Sequence, residues 1–279
     1  MYNIINIGFN IESYLAARIE KKLNGSQYQG TNKVIQNMAI DPVRMEIDQE
    51  TREAIREAFQ DLKNPVTLNV FVGPNCKYCD ESIKIAKVLE EEAPERNGEK
   101  LVKVRIFEKG KDDAEFKRQR VERIPTTTLL EGSIRYTGTP SGEEIRGLVE
   151  TIIRISQEDS GLDPSTVEKI KSIKKPVHIE IIVTPQCPYC PYAALLANMF
   201  AFEAWRNGKK DFIADTVEAY ENPDIADKYH VTSVPAIAIN GILAFVGVPY
   251  EEDFIERIID AIEGRKFKTE VISESATSI

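Results

Sequence analysis

The motif Cys-x-x-Cys occurs twice in this chain, as Cys76-Lys77-Tyr78-Cys79 and Cys187-Pro188-Tyr189-Cys190. The two copies stand 111 positions apart, and the offset extends beyond the cysteines. Upstream, Asn64-Pro65-Val66 becomes Lys175-Pro176-Val177, and Pro74 becomes Pro185. Downstream, Ile124-Pro125 returns as Val234-Pro235 at an offset of 110, and Gly138-Thr139-Pro140 as Gly247-Val248-Pro249 at 109. The chain must therefore fold as two homologous units, each with a cysteine pair after an apolar run and an x-Pro some fifty residues later. Every cysteine of the protein lies in the repeat. That concentration makes the cysteines the expected seat of function.

The chain's 279 residues suffice for two domains, each with its own core. A net charge of −9 argues against nucleic acid and anionic membrane surfaces as partners. No apolar stretch is long enough to span a bilayer. The start, MYNIINIGFNIESYL, lacks a basic region and does not read as a secretory signal. The end, ATSI, is not a retention signal. The expected location is the cytoplasm. Thiols are kept reduced there, so paired cysteines read as catalytic or metal-binding rather than as structural staples.

Residues 1–47 lie outside the repeat and read as an N-terminal extension. Ile11, Leu15, Ile19 and Leu23 form one helical stripe, followed by a polar linker of poor expected order. Residues 48–158 form the first unit and 159–265 the second, with a tail, 266–279, expected to be disordered. In unit one the pattern predicts a helix from Asp48, a buried strand Val66–Val72 and a helix starting at the cysteines. A strand Leu101–Phe107, a polar helix, a hairpin around Glu131-Gly132 and an amphipathic closing helix follow. Unit two repeats this order, with Asn240-Gly241 as a strong hairpin turn. A β-α-β crossover followed by a hairpin and a helix is the order of the thioredoxin fold. The expected class is α/β, two tandem thioredoxin-like domains, each a mixed β-sheet flanked by helices.

A thiol attacks a disulfide only as its thiolate. The strand-turn-helix context puts Cys76 and Cys187 at a helix N-terminus, where free N–H groups favour the anion. Cys79 and Cys190 are then within reach to resolve a mixed disulfide. Lys77 brings a cation beside Cys76, and Pro188 removes an N–H beside Cys187; both are expected to tune the thiols. Two alternatives compete. A zinc site made from four cysteines would need pairs spaced by about 15–20 residues; Cys79 and Cys187 are far more widely separated. A purely structural bridge across so short a loop constrains the unfolded chain by only about 2 kcal/mol.

Pro125 and Pro235 head the strand expected against each cysteine loop. A cis bond at either is against the general rate of about 5–6%. Its recurrence at one station of the repeat raises the odds, and it would turn the backbone of Ile124 and Val234 toward an extended substrate. Tyr78 and Tyr189 share one slot and are candidate substrate contacts, or rings packed over the surface. Glu180, inside a covered strand, is a candidate carboxylate for tuning the second pair, though a satisfied polar contact between the domains is its more ordinary role. Glu108 and Glu218 correspond in the repeat and read as solvent-exposed strand ends. No glycine-rich nucleotide loop is present. No metal and no cofactor beyond the redox-active disulfides is expected, so electrons would come from another protein or a small thiol.

Paired C-x-x-C motifs, C-x-Y-C then CPYC, each with its own x-Pro, resemble the glutaredoxin-like protein disulfide oxidoreductases of thermophilic archaea and bacteria. The resemblance covers about 48–265. It implies an enzyme that reduces, oxidises or isomerises protein disulfides inside the cell. It further implies a thioredoxin-reductase-like flavoprotein as electron donor and peroxiredoxins or folding proteins as partners. By motif match, Cys76 and Cys187 are nucleophiles, and Cys79 and Cys190 resolve. The competing functions are a reductase dedicated to one client such as a peroxiredoxin, and a non-enzymatic zinc-binding scaffold.

Overall fold

A computed structural model describes residues 41, 43, 44 and 47–278. The helix and linker expected before Asp41 lie outside the described residues. Asp48 caps the first helix, α1 (Gln49–Ala58), by accepting the Thr51 N–H at 2.8 Å. Unit one continues with β1 (Val66–Val72), α2 (Cys79–Glu92), β2 (Val102–Glu108), α3 (Asp113–Arg118), β3 (Thr126–Leu129), β4 (Ile134–Thr137) and α4 (Glu144–Gln157). Unit two repeats the order. It comprises α5 (Pro164–Ser172), β5 (Val177–Val183), α6 (Cys190–Arg206), β6 (Phe212–Glu218), α7 (Pro223–Lys228), β7 (Ala236–Ile239), β8 (Ile242–Val246) and α8 (Glu251–Glu263). Asn240 and Gly241 both take positive φ, as the two-residue turn between β7 and β8 requires.

The two expected sheets are one. Nine strands run in the order β9-β8-β7-β5-β6-β4-β3-β1-β2, where β9 is Glu270–Val271. The units join through β4 and β6, which pair in parallel from Ile134↔Ala214 to Thr137↔Val217. An edge strand left open on either unit would expose unpaired N–H and C=O groups; here each edge satisfies the other. The Thr137 hydroxyl adds a 2.7 Å hydrogen bond to Asp215 across the seam. Asn198 on α6 donates to the Tyr136 hydroxyl and to Thr151, binding the helices of the two units beneath the sheet. Gly147 on α4 lets that helix press on α6, since a Cβ there would stand 3.2 Å from Pro191 Cα.

The seam corrects one expectation. Glu108 ends β2, an edge strand, and its side chain is 45% exposed. Glu218 ends β6, in the middle of the sheet, where all seven residues are buried. Read as a solvent-exposed strand end, Glu218 is instead 3% exposed. The tail from 266 also departs from the expected disorder. Its β9 pairs in parallel with β8, Phe245↔Glu270 and Val246↔Val271, and Thr277–Ser278 pairs with Ser233–Val234.

Candidate active sites at the two cysteine pairs

β1 and β5 run parallel within the common sheet, so both cysteine pairs emerge at the same sheet edge. Both crossovers are of the β-α-β type, whose fixed right-handedness puts α2 and α6 on one face. Four strand steps separate β1 from β5, about 19 Å at the usual strand spacing. Zinc–sulfur bonds are about 2.3 Å long, so a four-cysteine site joining the pairs is excluded by distance. Among the described residues, no cluster of three or more His, Cys, Asp or Glu is arranged to hold a metal.

Each pair is a disulfide with its Cα atoms 5.5 Å apart. The helices start at the second cysteines rather than the first. Tyr78 and Tyr189 hold the cap positions, and Cys76 and Cys187 sit in the turn just before them. The Cys190 N–H donates to Cys187 Sγ at 3.1 Å. That bond points a helix N-terminal donor at the sulfur that would carry negative charge, a geometry that favours the thiolate. Cys76 is half-buried, whereas Cys79 is buried, which matches an outward attacking sulfur and an inward resolving one. Cys187 has no exposed surface at all.

Ile124–Pro125 and Val234–Pro235 are both cis peptides. Both prolines are buried at the head of the strand beside their own cysteine loop. Ile124 packs with Cys76, Val70 and Val72 in an apolar cluster. Lys77 does not hold a free cation beside Cys76. Its ammonium bonds to the Tyr78 hydroxyl and pairs with Asp41 at 3.3 Å, contacts that raise its pKa. The Tyr78 hydroxyl also reaches Asp41, at 3.0–3.1 Å, so this ring is tied to the residues preceding α1. Tyr189 stays 39% exposed beside the second pair. Pro188 lies in an exposed turn, and its carbonyl faces Arg146 Nη2 at 3.5 Å.

Glu180 is not placed to serve the cysteines. Residues 177, 179, 181 and 183 of β5 match those of β1 that pack toward the cysteine helix, and Glu180 lies on the opposite face. Its carboxylate accepts the Tyr229 hydroxyl and faces Lys228 Nζ at 3.5 Å. It is a satisfied contact within unit two, not between the units. Asn69, at the same station of unit one, bonds Gln119, the counterpart of Tyr229.

Two buried carboxylates near the second loop are residues that the sequence did not single out for this role. Glu144, first residue of α4, is buried with neither carboxylate oxygen hydrogen-bonded. It lines a small cavity with Thr139, Val183 and Glu218, where β5 gives way to the second cysteine loop. Burial pushes its carboxyl up to about 8, and Glu143 and Glu218 add to the effect. Burial likewise raises Glu218 to about 7, against the Tyr220 and Glu221 N–H groups that it accepts. In sequence, Glu143-Glu144 at a helix start reads as a solvated first turn; only the neighbouring unit buries it. The preceding Glu143 N–H donates to Pro185 O at 2.9 Å, so α4 of unit one buttresses the cysteine loop of unit two.

A thioredoxin-domain model matches residues 66–150 and again 177–260. A protein disulfide oxidoreductase from Aeropyrum pernix K1 is 50% identical and superposes with a TM-score of 0.79, over 81% of this chain and 97% of that one. A probable thioredoxin of Methanothermobacter thermautotrophicus is 36% identical over 91 residues, 31% of this chain and 98% of its own length. The alkylhydroperoxide reductase AhpF of Enterococcus faecalis has the same tandem fold, with a TM-score of 0.66 at 23% identity, over 76% of this chain and 98% of that one. With the domain matched around both cysteine pairs, the chain belongs to the thioredoxin-domain family, as a tandem enzyme of the protein disulfide oxidoreductase kind.

Proposed function

We propose that the two cysteine pairs act as separate exchange sites on protein disulfides, with Cys76 and Cys187 attacking and Cys79 and Cys190 resolving. The observation that carries this is the placement of each pair before a helix N-terminus with its own cis-proline strand alongside. In the reducing direction, the Cys76 thiolate attacks one sulfur of the substrate disulfide. The substrate S–S bond breaks, a mixed disulfide forms, and the departing sulfur takes up a proton. Cys79, deprotonated, then attacks Cys76 Sγ and expels the second substrate sulfur. Two electrons and two protons pass to the substrate, and the Cys76–Cys79 disulfide remains. The second pair runs the same steps, and both run backwards to oxidise a dithiol. A reducing compartment such as the cytoplasm suits a recyclable dithiol.

A peroxiredoxin is the favoured client class on one ground. A subunit of the alkyl hydroperoxide reductase of Pseudomonas aeruginosa is 25% identical over 125 residues, 45% of this chain and 23% of its own length. A thioredoxin-reductase-like flavoprotein is the matching donor. Dithiothreitol-driven reduction of insulin, followed by turbidity, tests the main reading with the wild type, Cys76→Ser, Cys187→Ser and the double variant. Activity lost only in the double variant is the expected result. Undiminished activity in the double variant would refute the assignment. Faster turnover of a peroxiredoxin than of insulin would favour the dedicated-client reading.

A further inference from the structure

Unit two covers three stations of unit one. Its β6 pairs with β4, its Glu218 Cβ would stand 2.7 Å from a Cβ on Gly138, and its Glu221 accepts the Thr139 N–H. At the equivalent stations of unit two, the C-terminal segment makes the contacts instead. β9 pairs with β8, Ile272 O lies against Gly247, and the Val248 N–H donates to Ser275 Oγ at 2.8 Å. Gly247 has φ +102, and a Cβ there would collide with Ile272 O, so glycine lets the segment pass this close.

The segment then makes a pairing that no described residue makes in unit one. Thr277 and Ser278 form an antiparallel pair with Val234 and Ser233, immediately before the cis Pro235. Among the described residues, no strand pairs with Ile124. The exposures follow suit: Val234 and Cys187 are fully buried, whereas Ile124 and Cys76 are half-buried. Strand addition to an open backbone edge is how an extended peptide docks. The docked segment, Ser-Glu-Ser-Ala-Thr-Ser from 273 to 278, carries no sulfur and cannot react with the cysteines it adjoins.

We propose that the chain's own C-terminal segment occupies the Ser233–Val234 edge of the second site as an unreactive stand-in for substrate. A disulfide-bearing protein segment must displace Thr277–Ser278 to bind there, whereas no described residue pairs with the matching edge of the first site. A ladder of two residue pairs is weak enough to yield. The inference rests on exchange at the second pair.

The test isolates that pair with Cys76→Ser/Cys79→Ser in the full chain and compares it with the same variant ending at Ser275. That truncation keeps the Ile272 and Ser275 contacts and removes the paired residues. Insulin reduction at the second site should gain roughly tenfold through KM, the factor set by a groove free about one-tenth of the time. The same truncation in a Cys187→Ser/Cys190→Ser background should leave the first site unchanged. An unchanged KM at the second site, or an equal gain at both sites, would overturn the proposal. Hydrogen exchange over residues 231–236 reads the docking without turnover. Faster exchange on truncation supports it, and identical exchange overturns it even if the second pair were inactive, an outcome that would refute the exchange reading separately.

Discussion

Glu108 and Glu218 occupy one station of the repeat, and so do β2 and β6, yet one strand is an edge and the other the middle of a nine-stranded sheet. Three residues of β6 carry polar or ionisable side chains into that middle: Asp215, Thr216 and Glu218. The same asymmetry runs through the helices. α4 of unit one is clamped against α6 and the second cysteine loop, while its counterpart α8 presents an exposed face with Glu256 at the station of Gly147. Two similar units thus became dissimilar by meeting each other on opposite sides. Each unit's unmet side is finished by residues outside the repeat. Arg44 donates to Lys77 O at 3.3 Å, the station of the Arg146–Pro188 contact, and the C-terminal segment finishes β8. Repeat proteins cap their ends for the same reason: a surface shaped to meet a neighbour is costly to leave bare.

The largest contrast should come from charge reversal at the shared station. Glu218→Lys buries a cation in the sheet centre and is expected to cost about 3–5 kcal/mol, while Glu108→Lys should stay within about 0.5 kcal/mol. Urea unfolding of both variants measures the difference, and equal costs would refute the edge-versus-centre account. Next comes pH. The Glu144 carboxyl is raised from 4.5 to about 8 in the folded protein and Glu218 to about 7. The folded state therefore holds protons that the unfolded chain releases. The stabilisation is complete below about pH 4.5 and is lost as pH rises through 7 and 8. Glu144→Gln should flatten this decline, closing on the wild type by about 3 kcal/mol between pH 5 and 8. Parallel unfolding curves for the two proteins would show that Glu144 does not titrate there.

Smaller effects mark the seam itself. Thr137→Val removes the hydroxyl bonded to Asp215 and is expected to cost about 1–2 kcal/mol. Its counterpart is already a valine, Val246, and Val246→Thr should be close to neutral. Thermal melts of the pair would decide it. Smallest is Gly147→Ala. The new methyl meets the Pro191 backbone, but better helix propensity offsets part of the strain, leaving a cost of about 1 kcal/mol. Glu256→Ala at the matching station should change stability by less than about 0.5 kcal/mol. A stabilising Gly147→Ala would mean that the two helices have room to part.

Periodicity and spacing alone carried the redox cassette. The two C-x-x-C pairs, the prolines fifty residues on and the strand-helix order are local or repeated signals, and those survive translation into structure because backbone geometry enforces them. β1 runs over the residues that the apolar pattern marked, and the Asn240-Gly241 turn forms where its chemistry demands φ > 0. Burial of a polar side chain is different. It depends on which surface arrives from elsewhere in the chain, and nothing in Glu-Glu at a helix start or Glu at a strand end records that. Only the packing of one unit on the other decided that Glu144 and Glu218 are held protonation-prone beside the second loop, that Glu180 faces α7, and that a short polar tail is ordered. The repeat wrote the chemistry twice, and the single sheet made the two copies unequal.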